Sequence, residues 1–160
     1  MKKLFFTAIL AILSVASASA QFEKGKIYGG ASASGLGISY SETSKFSFGL
    51  DALAGYMFAD DLMAMAEVGY NYHNSDTQSL SLGVRFRYYI VQNGLFLSLG
   101  AKYQHEFKDY NDFFITPEVG YSFFLNHNVT VEPSIYYNMS LSEFGHKSRF
   151  GVKVGIGFFF

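Results

Sequence analysis

The sequence predicts an all-β protein: an eight-stranded antiparallel up-and-down β-barrel that crosses a membrane with its strands. Three observations carry this. Apolar residues alternate with small or charged ones, period two, through eight segments of 11 to 13 residues. Polar breaks of three to eight residues separate those segments, which favours antiparallel neighbours. Within the segments, charge keeps to one face.

The 160-residue chain begins with a stretch outside this pattern. Lys2 and Lys3 precede an apolar run over 4–15 and the small residues Ala18, Ser19 and Ala20. This reads as a secretory signal peptide over 1–20, cleaved before Gln21, with an apolar run too short to span a membrane as a helix. The barrel domain is then 21–160. Cysteine is absent, which excludes disulfides, thiol chemistry and a lipid-anchored cysteine after the leader. The leader takes two of the 12 basic residues with it and leaves an excess of acid, so no basic patch points to nucleic acid. With 18 Phe, 12 Tyr, 16 Gly and only two Pro, the composition is neither disordered nor helical.

After a polar lead-in at 21–25, strands are expected at 26–37, 46–58, 62–72, 78–90, 95–107, 113–124, 129–140 and 149–160. The breaks at 38–45, 59–61, 73–77, 91–94, 108–112, 125–128 and 141–148 hold turn formers such as Asp60-Asp61 and Asn93-Gly94. The first strand has the weakest pattern, with Ile27, Gly29, Ala31 and Ala33 opposing Tyr28, Gly30, Ser32 and Ser34. In the fourth, Leu80, Leu82, Val84, Phe86, Tyr88 and Ile90 share one face and Ser79, Ser81, Gly83, Arg85, Arg87 and Tyr89 the other. The last ends RFGVKVGIGFFF, with Phe150, Val152, Val154, Ile156, Phe158 and Phe160 in step. Globular strands average about 5–6 residues, whereas a tilted membrane-crossing strand needs about 9–11.

Beyond the first strand, the charges within the segments all lie on the Gly/Ser face. The acids are Asp51, Glu67, Glu106, Glu118 and Glu132, and the bases Arg85, Arg87, Lys102, Arg149 and Lys153. An Arg or Lys facing lipid costs about 2–4 kcal/mol at the midplane, so the exclusion has a physical cause. Aromatics on the apolar face gather near two rims: Phe48, Tyr70, Tyr103 and Phe113 at one, Tyr56, Phe86, Tyr88 and Phe158 at the other. Aliphatic residues lie between, the girdle-and-belt pattern of membrane barrels. A soluble barrel would turn the apolar face inward. It would then crowd both girdles into an interior that holds little more than filling side chains.

In its leader, its eight alternating segments and the closing VGIGFFF, the chain resembles the small eight-stranded outer-membrane barrels of Gram-negative bacteria. It is similar in style to the OmpX group, to the membrane domain of OmpA and to the broad outer membrane protein beta-barrel domain family. The resemblance implies the bacterial outer membrane, with both chain ends and the breaks at 59–61, 91–94 and 125–128 on the periplasmic side. It implies that Val154, Ile156, Phe158 and Phe160 form the C-terminal signal read by the barrel-assembly machinery. Lipopolysaccharide and other outer-membrane lipids are then the neighbours of a monomer. The outer breaks are short for this class, unlike the tall strands of the OmpX group, so no adhesin role carries over.

Balanced interior charges are what burial demands, because an unpaired buried charge costs several kcal/mol. Glu67 is expected beside Arg85 and Arg87, with Lys102 and Glu118 completing a mid-lumen cluster that fills the barrel. The expected role is structural, with no enzymatic activity and no cofactor. One alternative is a small passive pore in which Arg85, Arg87, Lys102 and Lys153 select anions. Another is an outer-leaflet lipid-modifying enzyme, for which His105 is the only strand histidine. It lies on the apolar face, and Glu106 points away from it. Asp109, Asp112 and Glu42, placed in outer breaks, read as solvated turn residues rather than cation ligands. His73, His127 and His146 show no metal-ligand spacing.

Overall fold

A computed structural model describes residues 22–34, 47–73, 77–90, 93–106, 110–142 and 148–160. The expected leader falls outside them, as do Asp109, Glu42 and His146. Eight long strands form the wall: β1 (Ile27–Ser34), β2 (Ser47–Ala59), β3 (Leu62–His73), β4 (Thr77–Tyr89), β5 (Leu95–Glu106), β6 (Tyr110–Tyr121), β7 (Val129–Ser140) and β8 (Arg149–Phe159). A two-residue piece, Phe123–Phe124, continues β6 beyond Ser122 and pairs with β7.

Each strand pairs antiparallel with its sequence neighbours. The sheet closes where β1 meets β8, from Tyr28↔Phe159 to Ser34↔Lys153. Ile27 and Phe160 extend that seam by exchanging backbone hydrogen bonds of 3.1 and 2.9 Å. Closure gives each of the eight strands a partner on both sides, the condition for placing strands in hydrocarbon.

The faces are sorted by burial. Outside stand Leu82, 64% exposed, with Phe86, Leu99, Val84 and Ile156. Inside lie Arg85, Glu118, Lys153 and Glu132, each under 7% exposed. The cylinder therefore carries apolar side chains outside and ionic ones inside, the opposite of a soluble barrel.

Strand boundaries depart from expectation at more than one place: β3 runs through His73 and β4 begins at Thr77, both expected in a break, and the sixth strand begins early. The break expected at 108–112 is strand from Tyr110 onward, and Asp112 is a buried inward residue rather than a solvated turn. The Phe113 N–H donates to its Oδ1 at 2.7 Å and the Ser140 hydroxyl to its Oδ2 at 2.5 Å. The alternation continues through Asn111, Asp112 and Phe113, but with polar residues at the barrel's end it loses its apolar signature.

At the opposite end, called the lower end below, β2 and β3 are joined by Asp60 and Asp61, with a register shift between Met57 and Ala59. Asp61 takes φ 63°, a left-handed conformation that Asp and Asn tolerate better than most residues. Its carboxyl is pushed above the usual carboxylate range by burial and then by the neighbouring Asp60 charge.

Candidate functional site

Among the described residues the barrel interior gathers the buried ionic side chains, and small residues make room for them. A Cβ added at Gly83 would lie 2.8 Å from the Lys102 Cβ, and one at Gly120 would meet Ser134 Cβ at 2.6 Å and run into the Phe96 ring. Replacing these glycines would push the facing side chains off the wall.

Two ionic groups occupy the middle. In the upper one, Arg85 on β4 pairs with both Glu67 on β3 and Glu118 on β6, and Lys153 on β8 reaches Glu118 at 2.8 Å. Four strands thus converge on two carboxylates. In the lower one, Arg87 pairs with Glu132 on β7 at 2.7 Å. Glu132 also accepts hydrogen bonds from Tyr28, Ser122 and Thr130 at 2.9, 3.0 and 2.9 Å. Charge-assisted bonds of this kind are stronger than neutral ones, and here they satisfy a carboxylate that has almost no water.

Below Arg87 the filling changes character. Phe22, Tyr28, Leu53, Met57, Met63, Met65, Tyr89, Phe96 and Phe159 form a buried apolar cluster. Phe22 belongs to no strand. Its ring stacks on Tyr89 with centroids 3.6 Å apart and meets Phe159 edge-on at 5.7 Å. The strap that carries it is held by three bonds: Asp61 N–H to the Phe22 carbonyl at 2.9 Å, Gly25 N–H to the Met57 carbonyl at 2.8 Å, and Lys24 N–H to Asp60 Oδ1 at 2.9 Å. Arg87 joins the two regimes, its guanidinium 3.9 Å over the Phe96 ring, at cation–π range.

Two cavities interrupt the polar filling. One of about 10 Å³ touches Tyr28, Arg87, Glu118, Glu132 and Lys153. One of about 20 Å³ touches Asp51, Glu67, Arg85, Lys102, Tyr136 and Lys153. Each holds about one water.

The structure brings together Glu67, Arg85, Glu118 and Lys153, and separately Arg87 and Glu132. Glu67 does not share Arg87 with Arg85, and Lys102 does not complete the cluster: among the described residues it makes no ion pair, and Lys153 takes that place. The reason is strand tilt. Residues paired in register climb around a barrel, so position along a strand does not give height in the lumen. Asp51 accepts a 3.3 Å hydrogen bond from Ser32. Arg149 begins β8 and is exposed at its upper end, and the Glu106 side chain lies outside the described residues. Val154, Ile156, Phe158 and Phe160 all face out.

Sequence reasoning missed Phe22, a lone aromatic in a stretch read as polar. A signal existed. The inner faces of β2, β3, β4 and β5 turn apolar toward the lower end, at Leu53, Met57, Met63, Met65, Tyr89 and Phe96, and an apolar ring calls for an apolar filler.

On the outer face, His105 Nδ1 lies 2.6 Å from Asn111 Oδ1. No group of three His, Cys, Asp or Glu that could hold a metal occurs among the described residues.

The sequence matches the family described as outer membrane protein beta-barrel domain over residues 5–160. No curated protein sequence matches it significantly. Among solved structures, the chain is similar to the N-terminal beta-barrel domain of Pseudomonas aeruginosa OprF, with TM-score 0.66 and 14% identity over 86% of this chain and 98% of that one. It is similar to Neisserial surface protein A (NspA), with TM-score 0.58 and 18% identity over 84% and 96%. It is also similar to the outer membrane protein OprG from Pseudomonas aeruginosa, with TM-score 0.56 and 16% identity over 88% and 98%. At such identities the likeness carries the fold alone.

Proposed function

Because the chain belongs to the outer membrane protein beta-barrel domain family, we propose that it is a closed, non-conducting cylinder with a structural role in the bacterial envelope. The observation that carries this reading is the double filling of the lumen. An aromatic and methionine layer closes the lower end and a lattice of buried ion pairs closes the middle. The polar filling leaves cavities of about 10 and 20 Å³, which suit a trapped water and not a stream of hydrated ions.

On this reading the protein reaches the outer membrane of a Gram-negative cell through a leader cleaved before Gln21. Residues 22–26 and the short turns then face the periplasm. The strand bearing Val154, Ile156 and Phe158, with Phe160 after it, is the one the assembly machinery reads. The barrel sits as a monomer among lipopolysaccharide and other outer-membrane lipids, and its aromatic rims mark the two interfaces. It works without a cofactor and catalyses no reaction.

A planar-bilayer recording of the pure protein tests this. The expected trace shows no steady single-channel steps. Regular steps of one size would sink the closed-lumen reading in favour of the small pore. Lipid A from a deletion strain should keep its acylation pattern, and a change there would point instead to lipid chemistry.

A further inference from the structure

The two prolines of this chain, Pro117 and Pro133, lie on adjacent strands. Their placement relative to one another weakens a single seam.

The β6–β7 register is constant along its length, through Ile115↔Met139, Val119↔Ile135 and, past Ser122, Phe123↔Val131. At its two ends the outward-facing residues carry the ladder bonds: Leu141 N–H donates to the Phe113 carbonyl at 2.9 Å, and Leu125 N–H to the Val129 carbonyl at 2.8 Å. In an antiparallel pair such bonded positions recur every second residue. By that count Pro117, opposite Tyr137, and Pro133, opposite Tyr121, fall on bonded positions. A proline has no N–H to give. Pro117 therefore withholds a donor from β7, and Pro133 withholds one from β6.

The pairing shows both losses. Neither Thr116 and Pro117 with Asn138 and Tyr137, nor Tyr121 and Ser122 with Pro133 and Glu132, is laddered. The β3–β4, β4–β5 and β7–β8 seams run without a gap. The carbonyls of Tyr137 and Tyr121 lose their ladder donors on a wall that faces hydrocarbon, where backbone groups find no substitute in solvent. The gaps lie four residues apart on β6, about 14 Å.

Each gap is closed by an inward side-chain bond at the neighbouring position. Thr116 Oγ1 donates to Asn138 Oδ1 at 2.7 Å, and Ser122 Oγ donates to Glu132 Oε1 at 3.0 Å. Both pairs stand directly across the seam in the same register.

We propose that the β6–β7 seam is the barrel's built-in line of opening, where two strands part first and the polar lumen meets the bilayer, held shut by the Thr116–Asn138 and Ser122–Glu132 latches. The inference does not depend on whether the lumen conducts, because it concerns the wall and not the filling.

Amide hydrogen exchange of the full chain in lipid nanodiscs tests it, resolved by seam. Amides of the β6–β7 seam should exchange ahead of those of β3–β4 and β4–β5. Thr116→Val and Ser122→Ala should each raise exchange at β6–β7 by about three- to ten-fold, the range for one hydrogen bond, and leave β3–β4 unchanged. Pro117→Ala and Pro133→Ala restore a donor and should slow exchange at the same seam, so the test survives a latch variant that fails to fold. The chain has no cysteine, so a Thr116→Cys, Asn138→Cys pair offers a clean lock: facing non-bonded positions sit about 4.5 Å apart, within disulfide reach. Oxidation should abolish the excess exchange. Uniform protection around the barrel would overturn the proposal. So would proline variants that leave β6–β7 exchange unchanged or slow every seam alike.

Discussion

The two halves of the lumen solve one problem with opposite chemistry. Below Arg87, the space inside the wall is filled by rings and methionines around Phe22. Above it, the space is filled by Arg85, Glu67, Glu118 and Lys153. Apolar filling is forgiving, because each side chain loses only its own contacts when cut back. Ionic filling is not, because removing one partner leaves the others charged, buried and unpaired. The halves should therefore differ less in how much they stabilise the barrel than in how their mutations combine.

The largest effect is expected at Arg85. Arg85→Leu strands Glu67 and leaves Glu118 to Lys153 alone, and should destabilise the folded barrel by about 3–5 kcal/mol. Urea titration in lipid vesicles reads this, followed by circular dichroism or the gel shift between folded and unfolded barrel. Glu67→Gln added to Arg85→Leu should recover much of the loss, because Glu118 and Lys153 remain paired, so the double variant is more stable than the single one. A double variant that is simply the sum of its parts would show that the upper half is not a network.

Phe22→Ala comes next, at about 3 kcal/mol for a buried Phe. Combined with Met57→Ala it should lose further stability with no rescue of the kind expected among the ion pairs, since cutting back one apolar side chain of the cluster strands no charge in another. The bilayer trace should stay silent, because the Arg87–Glu132 pair and the upper network are untouched. Steady conductance from Phe22→Ala alone would mean that the aromatic layer, and not the ion pairs, is the seal.

The comparison also separates what the sequence made legible from what it did not. The wall was legible because period two is local: Leu80 to Tyr88 show their face without any knowledge of β3 or β5. The inward direction of Asp51, Glu67, Arg85 and Glu118 follows from the same period, since a charge in lipid is so costly. Partner choice was not legible. Glu118 meets Arg85 and Lys153 across the lumen, and which residues share a height depends on strand tilt, a property of the closed cylinder and of no single strand. Phe22 was missed for a different reason: one aromatic outside any strand has no period to show, and only the apolar lower ends of the inner faces call for it. Asp112 was read as loop because polarity at a strand's end masks alternation.

Lys102 sharpens the contrast within the upper half. It lines the same cavity as Lys153 and Arg85, yet makes no ion pair among the described residues. Lys102→Met should cost less than about 1 kcal/mol, against about 3 or more for Lys153→Met, which breaks a buried pair. Equal costs would mean that long-range attraction to Asp51 matters as much as contact.

The smallest expected effect lies at the lower turn, where Asp61 holds the Phe22 strap through its backbone N–H. Burial and the Asp60 charge raise its carboxyl pKa in the folded barrel. A raised folded pKa means the folded state keeps this proton to a higher pH than the unfolded chain does. The penalty is therefore absent below the ordinary carboxylate range, grows as pH rises through it, and is complete above the raised value. Asp61→Asn removes the charge, keeps the N–H that binds Phe22 and suits the φ of 63°. It should stabilise the barrel at neutral pH by no more than about 0.5 kcal/mol, with the gain vanishing as the pH is lowered to where Asp61 is protonated in both states. Urea midpoints of the two proteins at neutral and acid pH measure it. A gain that persists unchanged in acid would assign the benefit to the turn's backbone preference and not to the carboxylate.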